Sequence, residues 1–183
     1  MKTIVGICVL FILMSVGTAA AEFESGLQVG DSPGAFYVND VTGPNAGKAL
    51  CYKCQYGFRP VVTIFTRSMN ESVKNLIKQI DYVVGKNHEE HRMAAFVVLL
   101  SDQPRNHEKM LVAAAKEMKL SHTPLTTFRK SAGPRRYSIH KDSDVTVMMW
   151  VDNDVTSNHA FAKGTLNDDA IRQIIAATSK ILN

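Results

Sequence analysis

Two cysteines with two residues between them, Cys51-Tyr52-Lys53-Cys54, stand just ahead of the apolar run Val61-Val62-Thr63-Ile64-Phe65. Thiols at this spacing can close on one another, so Cys51 and Cys54 are candidates for thiol–disulfide exchange, with a permanent structural disulfide as the alternative. In the chain-entropy view, closing so small a loop stabilises a fold by only about 2 kcal/mol, less than a long-range bridge would; that favours exchange over stapling. Tyr52, Tyr56 and Phe58 could instead dock a locally closed loop on a core, which favours the staple. Residues 47–56, stopped by Gly57, are expected to form a helical turn with both sulfurs near its C-terminal end. The helix dipole there disfavours a thiolate, while the cations Lys53 and Arg59 favour one.

Other chemistry-bearing residues point less far. His88-Glu89-Glu90-His91 would complete a Cys2His2 set with Cys51 and Cys54, but the distance between the pairs is far from zinc-finger spacing and the run is not H-E-x-x-H. It reads as a solvated turn, and no metal is expected. Gln55 follows Cys54 where a haem attachment motif needs His, and there is no phosphate-cradling glycine loop, so no cofactor is expected either. Arg67 and Ser68, placed between a strand and a helix, could offer an anion a cation, a hydroxyl and free helix N–H groups; for Ser68 the plainer role is capping. Met148-Met149-Trp150 reads as hairpin packing, and His122 and His159 as structural histidines.

The N-terminus carries Met1-Lys2, an apolar segment over residues 4–16 and small residues ending in Ala19-Ala20-Ala21. This is the pattern of a secretory signal peptide over residues 1–21, too short in its apolar core to span a bilayer as a helix, and Cys8 would leave with it. The expected location is therefore periplasmic or extracellular, an oxidising setting in which a close Cys pair is disulfide-bonded unless a reductant intervenes. No later run is long enough for a membrane helix. Residues 22–34 read as an arm and 35–183 as one domain with its own core. The formal net charge of +4 is scattered, with no run of cations longer than the pairs Arg129-Lys130 and Arg135-Arg136, and nucleic acid is not an expected partner.

The elements around the pair follow from periodicity. Residues 35–41 alternate as a short strand and 42–45 as a turn; 61–66 and 94–100 are continuously apolar, as strands covered on both faces should be. Ser68 followed three residues later by Glu71 has capping-box spacing and predicts a helix start, with Val73, Leu76, Ile77, Ile80, Val83 and Val84 inward and Gly85 as its stop. A second helix is expected over 106–120 with Met110, Leu111, Ala114 and Met118 inward. A short strand at 125–128, a hairpin over 145–162 turning at Asp152-Asn153-Asp154, and a closing helix capped by Asn167 complete the series.

This order resembles the thioredoxin-like superfamily, and the extra strand at 35–41 and the segment 124–139 resemble its redoxin and peroxiredoxin-like branch. The resemblance implies an α/β fold: a three-layer α/β/α sandwich with a central mixed sheet. It also implies an exported protein exchanging thiols with thiol- or disulfide-containing proteins, Cys51 attacking and Cys54 resolving by analogy with other C-x-x-C proteins. The family's reactive Cys, however, follows the first core strand at the start of the next helix, where this chain has Thr66-Arg67-Ser68-Met69. The standard peroxiredoxin mechanism is therefore not expected. The family's cis-proline before the hairpin is also missing, with Asp144-Val145-Thr146 in its place. The alternative is a non-catalytic binding or scaffold protein of the same fold with a structural disulfide.

Overall fold

The computed structural model describes residues 24–182, so the signal peptide expected over 1–21 lies outside the described residues. The chain builds β1 (Val38–Asp40), β2 (Ala49–Leu50), α1 (Tyr52–Tyr56), β3 (Val61–Thr66), α2 (Glu71–Asn87), β4 (Ala94–Leu100), α3 (Glu108–Met118), β5 (Leu125–Phe128), β6 (Ser143–Val151), β7 (Asp154–Ala162) and α4 (Asp168–Ala177). The strands form one mixed sheet in the order β2-β1-β5-β4-β3-β6-β7. β3, β4 and β5 are parallel, joined through α2 and α3, whereas β6 runs antiparallel to β3 and β7 to β6. The hairpin turns tightly at Asp152 and Asn153, both with positive φ (53° and 67°), the backbone a two-residue turn of primed type requires.

The apolar strands serve two cores because successive side chains point to opposite faces. Val62, Ile64, Ala95, Val97, Leu99, Val147 and Met149 meet the apolar stripes of α2, α3 and α4. Val61, Phe65, Phe96, Val98, Met148 and Trp150 face the other way, toward Tyr52, Phe36, Tyr137 and Ile139. The three layers are thus unequal: three long helices cover one face, and α1, a 3-10 turn at Arg135–Tyr137 and the N-terminal segment cover the other. Met148-Met149-Trp150 is split between the two cores, as strand alternation requires. Residues 24–34 form no strand of the sheet, but they are pinned to it, Ser25 Oγ sharing a 2.7 Å hydrogen bond with Thr146 and Gly30 N–H donating to Val155 C=O.

Several boundaries differ from expectation. α2 is capped by Asn70, whose Oδ1 accepts the Val73 N–H at 3.0 Å, and not by Ser68. The Ser68 hydroxyl is drawn instead to Asp144 Oδ2 at 2.8 Å, because the pairing of Thr66 with Val145 brings Asp144, near the start of β6, beside the end of β3. Gly85 does not stop α2, which continues to Asn87. A Cβ at Gly85 would lie 2.9 Å from the His122 ring, so this glycine is there for close packing and not for termination. The helix expected over 106–120 divides into a 3-10 turn at Pro104–His107 and the shorter α3, and Met110 is partly exposed while Leu111, Ala114 and Met118 are buried.

The cap assignment has a direct consequence. Asn70→Ala removes the acceptor for an otherwise unpaired helix N–H and is expected to lower stability by about 1 kcal/mol, whereas Ser68→Ala, which loses no cap, costs less. Urea unfolding of the two variants ranks them; a larger loss for Ser68→Ala would contradict this assignment.

Candidate functional site

α1 is only five residues long, and Cys51 is its N-cap. The Cys51 carbonyl accepts the first helical bond, from Gln55 N–H at 3.0 Å, and its Sγ accepts the Cys54 N–H at 3.1 Å. The two sulfurs are joined in a disulfide with a Cα–Cα distance of 5.2 Å. The expectation of both sulfurs at a helix C-terminus is thereby corrected. The helix begins at Tyr52, so Cys51 sits at the end where exposed N–H groups favour negative charge on sulfur. Exposure divides the pair: Cys51 is 5% exposed, whereas Cys54, on the outer side of the turn, is open to solvent.

So short a helix has no stability of its own, since nucleation costs more than one turn returns. Tyr52 supplies what is missing. Its ring stacks on Phe96 of β4 with centroids 5.4 Å apart, and its hydroxyl donates to Asp40 Oδ2 at 2.8 Å. Asp40, at the end of β1, is 2% exposed and also accepts the N–H groups of Gly43 and Asn45 at 2.7 and 2.9 Å. Burial first, and then the bond to Asp40, push the Tyr52 phenol well above its ordinary range, so it remains a proton donor. Gly43 is required here, because a Cβ would come 2.3 Å from the Tyr52 hydroxyl and 2.6 Å from Asp40 Oδ2. Tyr56 extends the anchor, packing on Tyr52 and Phe96 with its hydroxyl directed to Ala95 C=O at 3.4 Å. Sequence reasoning named the tyrosines but missed Asp40 and Phe96; the turn residues Gly43-Pro44-Asn45 after an Asp were the available signal for Asp40.

The remaining candidates fall in two places. Arg59, just after α1, lays its guanidinium over the Tyr56 ring at 5.3 Å and donates from Nε to Arg92 C=O at 2.5 Å. Lys53 is half-buried within α1, and its carbonyl accepts the Gly57 N–H at the helix end. Arg67 and Ser68 lie beyond the C-terminal end of β3, at the start of α2, which packs on the opposite sheet face from α1. The Arg67 guanidinium bonds the carbonyls of Ser143 and Ser131, and Ser68 bonds Asp144, so both side chains tie neighbouring loops together. Burial lowers the Arg67 pKa, against the pull of Asp144 and Asp142. The structure therefore does not bring Arg67 and Ser68 together with the Cys pair. Among the described residues, no group of three or more His, Cys, Asp or Glu side chains is placed to hold a metal ion.

Tyr52→Phe keeps the ring and removes the hydroxyl, leaving the buried Asp40 carboxylate one donor short. The expected loss is about 2 kcal/mol of stability in urea unfolding, the size of a hydrogen bond to a charged group. A loss under about 0.5 kcal/mol would mean that Asp40 does not depend on this donor.

No protein-family model and no curated protein matches the sequence. Solved structures do match in shape. A proposed protein disulfide isomerase from Bacteroides thetaiotaomicron superposes with a TM-score of 0.65 at 14% identity, covering 87% of this chain and 94% of its own. A proposed thiol:disulfide interchange protein DsbE from Chlorobium tepidum gives 0.59 at 16% identity, covering 83% and 99%. Peroxidoxin BcpB from Mycobacterium tuberculosis gives 0.57 at 16%, covering 86% and 99%. The chain therefore has the thioredoxin-like fold, with its C-x-x-C pair placed ahead of the first core strand and on the sheet face opposite α2.

Proposed function

We propose that the protein exchanges thiols and disulfides through Cys51 and Cys54, with thiol- or disulfide-containing proteins as partners after export. The observation that carries this reading is the disulfide itself, an exposed Cys54 bonded to a buried Cys51 at a helix N-cap. A partner thiolate would attack Cys54 Sγ, the accessible sulfur. The S–S bond breaks, and its electron pair leaves on Cys51 Sγ as a thiolate held by the Cys54 N–H. A second thiolate of the same partner then attacks the partner sulfur of the mixed disulfide. It releases the Cys54 thiolate, leaving the partner oxidised and this chain reduced. The roles implied by analogy are thus exchanged, because burial shields Cys51 from attack.

A second reading, a structural disulfide in a non-catalytic scaffold, draws support from the burial of Cys51, which keeps one of the two sulfurs out of reach of a partner. The two readings part on potential and turnover. Exchange predicts a reduction potential above about −300 mV and reduction of insulin disulfides; a lower potential with no turnover identifies the staple.

The assignment of the two sulfurs is tested separately with single-cysteine variants and an aromatic disulfide reagent. The lone Cys54 of Cys51→Ser is expected to react at least about tenfold faster than the lone Cys51 of Cys54→Ser. Equal rates, or faster reaction at Cys51, would reverse it. Export is checked by N-terminal sequencing of the protein recovered outside the cytoplasm, with a new terminus expected just after Ala21.

A further inference from the structure

Behind Tyr56, a cavity of about 540 Å³ opens between the loop after β1, the end of α2 and the segment leading into β5. That is the size range of small-molecule sites. Its walls are apolar at Leu120 and Pro124, while Arg59, His88 and His122 bring the cationic and imidazole groups. Among the described residues no Asp or Glu lines it, although Glu89 and Glu90 follow His88 in sequence. The larger cavity, about 1030 Å³ beside the start of α3, differs in mixing Arg105, Lys109 and Arg129 with Asp102 and Glu108.

Arg59 is the pivotal group. It is half-buried, forms no salt bridge among the described residues, and stands near enough to Arg92 that the two repel; burial first, then Arg92, lower its pKa. Its guanidinium over the Tyr56 ring leaves donors other than Nε for a ligand. The His88 and His122 rings lie 5.6 Å apart and line the same cavity, and neither ring's nitrogens form a hydrogen bond among the described residues. Asp81, the carboxylate behind this wall, is buried and accepts the backbone N–H groups of Ser121 and His122. A half-buried guanidinium with no carboxylate partner among the described residues, lining one cavity with two imidazoles and an aromatic ring, is matched by an oxyanion attached to an apolar body.

We propose that this cavity binds a small molecule carrying a carboxylate or phosphate on an apolar body, with Arg59 as the partner of its charge. The site does not depend on thiol exchange and would stand if Cys51 and Cys54 proved purely structural.

Titration of the purified protein with benzoate, phenyl phosphate and benzyl alcohol, followed by backbone amide NMR, tests it. Saturable shifts at Gly43, Ala115 and Thr123 are expected with an anion, and benzyl alcohol should bind at least about tenfold more weakly. Tighter binding of benzoate assigns a carboxylate, and tighter binding of phenyl phosphate a phosphate. Arg59→Gln should weaken anion binding about tenfold or more, and His88→Gln, which alters an exposed side chain, about threefold. Absence of saturable shifts, equal binding of the alcohol, or unchanged affinity in Arg59→Gln overturns the proposal. Should Arg59→Gln prove unfolded by circular dichroism, unchanged affinity in His88→Gln overturns it.

Discussion

The hydrogen bond from Tyr52 to Asp40 decides where the Cys51–Cys54 disulfide sits on the sheet. A five-residue helix has no cooperative reserve, and the disulfide within it contributes about 2 kcal/mol at most by restricting the unfolded chain. What fixes α1 against β4 is the Tyr52 ring on Phe96 and the phenol on a carboxylate already held by two backbone N–H groups. Because the phenol stays protonated, the bond persists wherever the protein is folded and Asp40 is ionised. Cys51 is thereby held at an N-cap and out of solvent, and Cys54 is turned outward.

The start of α2 shows the opposite economy. It occupies the position of the reactive cysteine in thioredoxin-like proteins, and its polar side chains are engaged in structure. Arg67 joins the loop at Ser131 to the strand entry at Ser143, while Ser68 bonds Asp144. Asp144 also places a carboxylate beside Ser68, which opposes a thiolate or a bound anion there. The fold has thus used the end of β3 to secure the hairpin, and the Cys51–Cys54 disulfide lies across the sheet on the other face.

How much of this could be read from the residues follows from the range of the interactions concerned. The continuously apolar runs at 61–66 and 94–100 named their strands, since a strand buried on both faces needs no partner to declare itself. The Asn167 cap and the Asp152-Asn153 turn were equally local. The Ser68 cap was misread because its hydroxyl is claimed by Asp144, 76 residues away, and Gly85 was misread because its role is set by His122. Asp40 and Phe96 went unnoticed for the same reason: each matters through Tyr52, a contact that sequence periodicity does not encode. The orientation of the Cys pair turned on where the helix begins, at Tyr52 and not at residue 47, because Ala49 and Leu50 pair with β1 as a strand.

That anchoring also bears on the choice between exchange and staple. If the disulfide were what held α1 in place, breaking it would release the turn, and cycling between oxidised and reduced states would carry a conformational cost at each step. Here Tyr52 and Tyr56 grip the sheet through rings and hydroxyls that do not involve sulfur. The turn can therefore remain docked when the S–S bond opens, and the Cys51 thiolate remains beside the Cys54 N–H that donates to it. A bond that the surrounding structure does not need for its own integrity is free to be made and broken, and this independence, more than the C-x-x-C spacing, favours exchange.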